Sequence, residues 1–117
     1  MSRDVAAIFA DIDAFDPEKF VAHLTPDATF RFANADPVTG RAAVKEAVAG
    51  FFSSIAGLTH HILNVYEVGD IVIAQIDVEY RRQDGKSVTV PNADILVFDG
   101  DLVRDWQIYI DLAPVFA

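Results

Sequence analysis

Three acids stand where a carboxylate is out of place. Asp94 lies between Ala93 and the run Ile95-Leu96-Val97-Phe98, and Asp111 is the only charge from Ile108 to Val115. An ionised carboxylate in apolar surroundings needs a partner, or it keeps its proton instead. Asp77 follows Ile71, Ile73 and Gln75 at steps of two, so that polar and aliphatic side chains share one strand face. Two acids in one dry pocket acquire separate proton affinities, leaving one as donor and the other as base near neutral pH. The chemistry expected is cofactor-free general acid/base catalysis by Asp77 and Asp111; Asp94 is either a carboxylic acid held in an apolar site, and then a further proton donor, or an acid at a strand bulge reaching water. Phe32, Gln75 and Tyr109 are expected to line the same pocket and hold the substrate. The other reading of the mixed faces is a wet outer side, common in antiparallel sheets.

The remaining chemistry-bearing residues point elsewhere. His60-His61 is a poor metal pair, because successive strand residues leave on opposite faces, and no metal site is expected. His23 falls near the end of a short helix, where the dipole favours a cation. Trp106 is expected in the core or in a dimer interface. The chain has no cysteine, hence no disulfide, thiolate zinc site or cysteine nucleophile. It has no Ser-His-Asp signature, phosphate-binding glycine loop or dinucleotide fingerprint.

These residues depend on elements to aim them. Val5, Ile8, Phe9 and Ile12 recur at helical spacing, and Asp16-Pro17 caps a second short helix that Thr25-Pro26 stops. Ala28 to Phe32 alternates as a half-buried strand; Val44, Val48, Phe51 and Ile55 then mark a third helix, ended by Gly57. Beyond it the period changes to two. Gly69-Asp70, Asp84-Gly85 and Asp99-Gly100 punctuate the second half at 15-residue intervals, which predicts four long strands near 58–68, 71–82, 86–98 and 101–112 in an antiparallel meander. Strands of that length curl, and a bulge or bend is expected at Pro91-Asn92. The fold class is α+β: three N-terminal helices packed on a strongly curved antiparallel sheet, a cone-shaped barrel with an internal pocket.

The chain of 117 residues, 52% hydrophobic with nine phenylalanines, is read as a single domain spanning 1–117 with a core of its own. Nine Lys plus Arg against 18 Asp plus Glu give a net charge of −9 with no basic stripe, which argues against nucleic acid and anionic membrane as partners. Asp4, Asp11 and Asp13 interrupt the first apolar stretch, no apolar run reaches the length of a spanning helix, and a cytoplasmic location is expected.

The element order, with Thr25-Pro26-Asp27-Ala28-Thr29-Phe30, Thr39-Gly40-Arg41-Ala42-Ala43-Val44 and Ile108-Tyr109-Ile110-Asp111, resembles the nuclear transport factor 2-like superfamily over essentially the whole chain, its SnoaL-like branch above all. That resemblance implies a cone with an apolar pocket, often homodimeric, used by polyketide cyclases, ketosteroid isomerases, limonene epoxide hydrolases, scytalone dehydratases and by non-enzymatic binding modules. Against the epoxide hydrolase pattern, Asp77 and Asp111 match the two acids, while Gln75 stands where an arginine would be and the water-holding Tyr and Asn fall near Phe30 and Phe32. Against the isomerase pattern, Asp94 matches the protonated oxyanion donor and Asp36-Pro37-Val38 is similar to the base segment, while the tyrosine position falls at Ile8. Fold alone does not choose among these activities.

Two functions are therefore carried forward. One is a SnoaL-like small-molecule enzyme of isomerase, cyclase or hydrolase type, acting without a cofactor on an apolar metabolite. The other is a non-catalytic module of the same fold that binds a small ligand or dimerises. A homodimer through the outer sheet face is expected in either case, with Val72, Ile76 and Trp106 as the apolar residues needing cover.

Overall fold

The computed structural model describes residues 3–117. Helix α1, Val5–Asp13, buries Val5, Ile8, Phe9 and Ile12 along one stripe, and Asp4 caps it by accepting the Ala7 N–H. In α2, Pro17–Val21, the Asp16 carboxylate accepts from the Glu18 N–H and proline sits in the first turn, as the dipeptide predicts. Helix α3, Arg41–Phe52, buries Val44, Val48 and Phe52, and it ends before Gly57, with Ser53 as its C-terminal cap.

Six strands follow or interleave: β1 Leu24–Phe32, β2 Val38–Thr39, β3 Gly57–Val68, β4 Ile71–Arg81, β5 Ser87–Asp99 and β6 Leu102–Ile110, with a last helical turn α4 at Ala113–Phe116. Their order across the sheet is β2-β1-β6-β5-β4-β3, so the curved sheet stays open between β2 and β3. The pairs β3·β4, β4·β5 and β5·β6 form the predicted antiparallel meander, whereas β1 runs parallel to β6. That parallel pair escaped the sequence because Thr25-Pro26, which reads as a stop, lies within β1; the β1·β6 register shifts between Leu24 and Thr29 and so passes over Pro26.

The bulges are also placed differently from expectation. The β4·β5 register runs unbroken through Asp77 opposite Pro91 and Ile76 opposite Asn92; the irregularities fall at Ile62/Asn64 in β3 and at Val97/Phe98 against β6. Pairing of β5 with β6 stops at Asn92 opposite Ile110, one residue short of Pro91, so its missing N–H costs no bond on that side.

Helices α1 to α3 cover one face of the sheet. Beneath them lie Val72, Ala74, Ile76, Val78 and Tyr80 of β4, Val90, Leu96 and Phe98 of β5, and Val103 and Trp106 of β6, all buried. Val72, Ile76 and Trp106 are thus covered within the chain, which corrects their assignment to a dimer face. The Thr-Gly-Arg segment before α3 has a positional role. Gly40, at φ +93, donates its N–H to the Ala28 carbonyl at 2.8 Å, and Arg41 Nε donates to the Leu24 carbonyl at 2.9 Å, tying the start of α3 to β1.

Candidate functional site

Between the helices and the sheet lies a cavity of about 160 Å³, close to the ~150 Å³ apolar hole known to admit a benzene ring. Its walls are mostly apolar and rich in aromatic rings: Phe20, Phe30, Phe32, Phe51, Phe52 and Tyr80. Phe32 meets Phe51 edge-on at 4.7 Å, and Phe51 meets Tyr80 edge-on at 5.8 Å, so the rings brace one another. No lysine or arginine lines it; its titratable groups are His60, Tyr80 and Asp94, joined by the amide of Asn92.

Asp94 is the chemical centre. It is 1% exposed, on the inner face of β5, with Ala74 opposite it on β4 and Ile108 opposite it on β6. Asn92 Nδ2 donates to its Oδ1 at 2.5 Å, and Trp106 Nε1 donates to its Oδ2 at 2.8 Å. Alternation explains both contacts. Asn92 is two residues back on the same face, and Trp106 lies diagonally across on β6, opposite Leu96. Burial pushes the Asp94 carboxyl above the ordinary carboxylate range, outweighing the Asn92 and Trp106 donors that pull it down. No cationic side chain pairs with it among the described residues. With both oxygens already accepting, a proton on either is free to be offered to a ligand. Burial first, and then the Asp94 charge, push the Tyr80 phenol up as well, so it stays an O–H donor.

His60 forms another part of the wall. Its side chain is 8% exposed, its ring lies 4.9 Å from that of Phe9, and its Nδ1 is 2.5 Å from Asp13 Oδ1. The other Asp13 oxygen accepts the His60 backbone N–H at 2.9 Å. His61 leaves on the opposite face and meets Glu79, so the adjacent histidines never converge. No group of three or more metal-ligating side chains forms among the described residues.

Of the residues expected to line one pocket, the fold brings Asp94 and Phe32 to the cavity and leaves four outside. Asp77 and Gln75 alternate with the buried Ala74, Ile76 and Val78 and therefore leave on the outer face, where Gln75 accepts from Asn64 at 3.0 Å. Tyr109 is 51% exposed, and Asp111 follows the end of β6, where its Oδ1 accepts the Ala113 N–H at 3.0 Å beneath α4. The expected pairing of Asp77 with Asp111 inside the pocket is corrected accordingly. Physically, β4 carries Ile71 and Ile73 on its wet side, and those aliphatics imitated an inner face.

Asn92, Trp106, Tyr80, His60 and Asp13 were not singled out for the site, although two signals existed. Asn92 and Asp94 are polar residues two apart in the stripe Val90 to Phe98, and Asp13 is an acid at the C-terminal end of α1, where the helix dipole disfavours it. His60 becomes a neighbour of the site only through tertiary packing.

Helices folded over a curved sheet in this arrangement are shared with solved structures of nuclear transport factor 2-like proteins, and the fold is of that type. Residues 5–106 match the SnoaL-like domain family, and the chain belongs to it. Among solved structures it is similar to a Catenulispora acidiphila protein with a ketosteroid isomerase-like fold in complex with trimethylamine, at 20% identity over 97% of this chain and 89% of that one, with a TM-score of 0.87. It is also similar to TerC co-crystallised with polyporic acid, at 17% identity over 96% and 92% of the two chains, TM-score 0.84. A Mycobacterium tuberculosis epoxide hydrolase resembling limonene epoxide hydrolase aligns at 15% identity over 96% and 83%, TM-score 0.78. At these identities the likeness is one of fold. No curated protein sequence matches the chain.

Proposed function

We propose that this protein is a small-molecule enzyme of SnoaL-like type, acting by general acid/base chemistry on an uncharged cyclic metabolite that carries one hydrogen-bond acceptor. The observation that carries this reading is Asp94: a buried carboxyl group with two fixed donors, no cationic partner and a place in the wall of an aromatic cavity. A neutral acid there donates to a ligand oxygen and stabilises negative charge developing on it, in a site where such a bond is stronger than in water. The absence of lysine and arginine from the lining disfavours an anionic group inside it, and the volume suits about one ring. That Asp94 matches the donor of the isomerase pattern, and that neighbours of the fold include an epoxide hydrolase, supports catalysis over simple binding.

The test is exchange of the α-hydrogens of cyclohexanone in heavy water, followed by NMR. Wild type accelerates exchange, and Asp94→Asn loses about 100-fold or more of that acceleration. Saturable binding of the ketone without exchange would establish the non-catalytic ligand-binding module instead.

The outer face is the homodimer surface in this reading. Tyr66 and Tyr109 are 52% and 51% exposed there, flanking half-buried Ile73, Ile95 and Val97 across β3 to β6. A stripe of aliphatics rimmed by tyrosines has the character of an interface centre.

A further inference from the structure

We propose that His60 is the base of this site and that Asp13 is its positioning residue, so that the reaction catalysed is a proton shift next to a carbonyl. The proposal rests on the acid/base reading of the Asp94 pocket.

The three histidines differ in which nitrogen is occupied. His23 spends its Nε2 on Asp11 at 2.8 Å, and His61 spends its Nε2 on Glu79 at 3.2 Å; neither lines the cavity. His60 instead engages its carboxylate through Nδ1. Its Nε2 meets no hydrogen-bond partner among the described residues. Nor is it sealed in, since the orphaned buried side-chain polar atom found among them is Thr25 Oγ1. In this proposal that nitrogen is the one presented to the cavity, which His60 and Asp94 both line.

Asp13 is built to hold the ring. One of its oxygens takes Nδ1 and the other takes the His60 backbone N–H, a two-point clamp between the end of α1 and β3. The clamp is anchored at both ends. The His60 ring packs on Phe9 of α1, and two residues beyond Asp13, Phe15 at φ +65 stacks its ring 4.7 Å from that of Phe52 of α3. A carboxylate on Nδ1 keeps a proton there and leaves Nε2 as a bare lone pair, the form of imidazole that can accept a proton. Asp94 presents the acid and His60 the base from different strands, with Tyr80 the other titratable group facing the space between them.

The step balances without a further reactant. His60 Nε2 takes a proton from the carbon next to the ligand carbonyl, and the C–H electron pair becomes a carbon–carbon double bond. The carbonyl π pair moves onto oxygen, which the Asp94 O–H holds. Return of a solvent-derived proton from Nε2 to the same carbon re-forms the carbonyl and gives exchange. In a ligand with a β,γ double bond, that bond's electron pair takes the proton at the γ-carbon, the new double bond settles between the α- and β-carbons, the carbonyl re-forms, and the result is an isomerisation. Asp77, on the outer face of β4, takes no part in this step.

The test uses the full chain. NMR of the imidazole nitrogens in wild type is expected to show His60 protonated on Nδ1 and bare on Nε2, and Asp13→Ala is expected to move it toward the opposite tautomer. In cyclohexanone exchange, His60→Gln loses about 100-fold or more, and Asp13→Ala about tenfold or more through misplacement of the ring. A wild-type His60 carrying its proton on Nε2 overturns the proposal, and so does undiminished exchange in His60→Gln while Asp94→Asn has lost it. Exchange absent from wild type itself counts against the acid/base reading of the pocket.

Discussion

Asp94 and Asp77 occupy adjacent strands of one sheet and differ only in the face by which they leave it. Asp94 faces inward and is sealed beneath aromatic rings, with Asn92 and Trp106 fixed on its two oxygens. Asp77 faces outward, half-buried, with no hydrogen bond or ion pair to a described residue, opposite His61 of β3 and Pro91 of β5. The same side chain is thus a perturbed acid in one place and a solvated one in the other. The lesson is that the helical cover makes the chemistry: burial raises the proton affinity of Asp94, and no feature of its own strand does so.

The sharpest way to break this contrast is to remove what seals and orients the inner acid. Trp106 is buried against Phe9, Phe20 and Phe30 and donates to Asp94. Trp106→Ala is expected to lower unfolding free energy by about 3 to 5 kcal/mol, read from urea melts. A loss below 1 kcal/mol would mean that the inner face is not tightly packed.

A second prediction concerns pH. The Asp94 carboxyl has its folded-state pKa raised above its ordinary value near 3.8. Between those two values the folded chain keeps the proton and the unfolded chain has lost it. Its contribution is therefore fully present below about pH 4 and is lost as pH rises toward the folded-state pKa, at up to about 1.4 kcal/mol per pH unit. Asp94→Asn does not titrate, so wild-type stability should decline relative to this variant as pH increases, then level off. A difference constant from pH 4 to 8 would show that Asp94 is ionised throughout.

The outer face is tested by its contacts. Ile95→Glu places a charge in the centre of that surface and should convert a dimer into a folded monomer by light scattering, with the melting profile of an intact core. A wild type that is monomeric at high micromolar concentration would remove the interface altogether. The smallest effect is expected at Asp77. Asp77→Asn should shift stability by less than about 0.5 kcal/mol and leave ketone exchange untouched. A loss of exchange there would overturn the division between the faces.

Much of this was legible along the chain, where the signal was local. Asp16-Pro17, the stripe Val5-Ile8-Phe9-Ile12 and the glycine turns at 69, 85 and 100 each specify their element through backbone geometry that needs no distant partner. Asp94 was legible too, as the charge in an aliphatic run. Thr25-Pro26 misled because a parallel neighbour that tolerates proline lies far away in sequence, on β6.

Sequence alone determined the α+β class, the long strands of the second half, the acidic surface and the residues that alternate on each strand, because side-chain direction repeats every two residues wherever a strand forms. Only the tertiary structure decided which alternate set faces the helices, since both sets on β4 contain aliphatics, Val72, Ala74, Ile76 and Val78 in one and Ile71 and Ile73 in the other. It alone brought Asp13 of α1 to His60 of β3, 47 residues apart. Such a meeting is fixed by how α1 lies across a curved sheet, and no spacing along the chain encodes it.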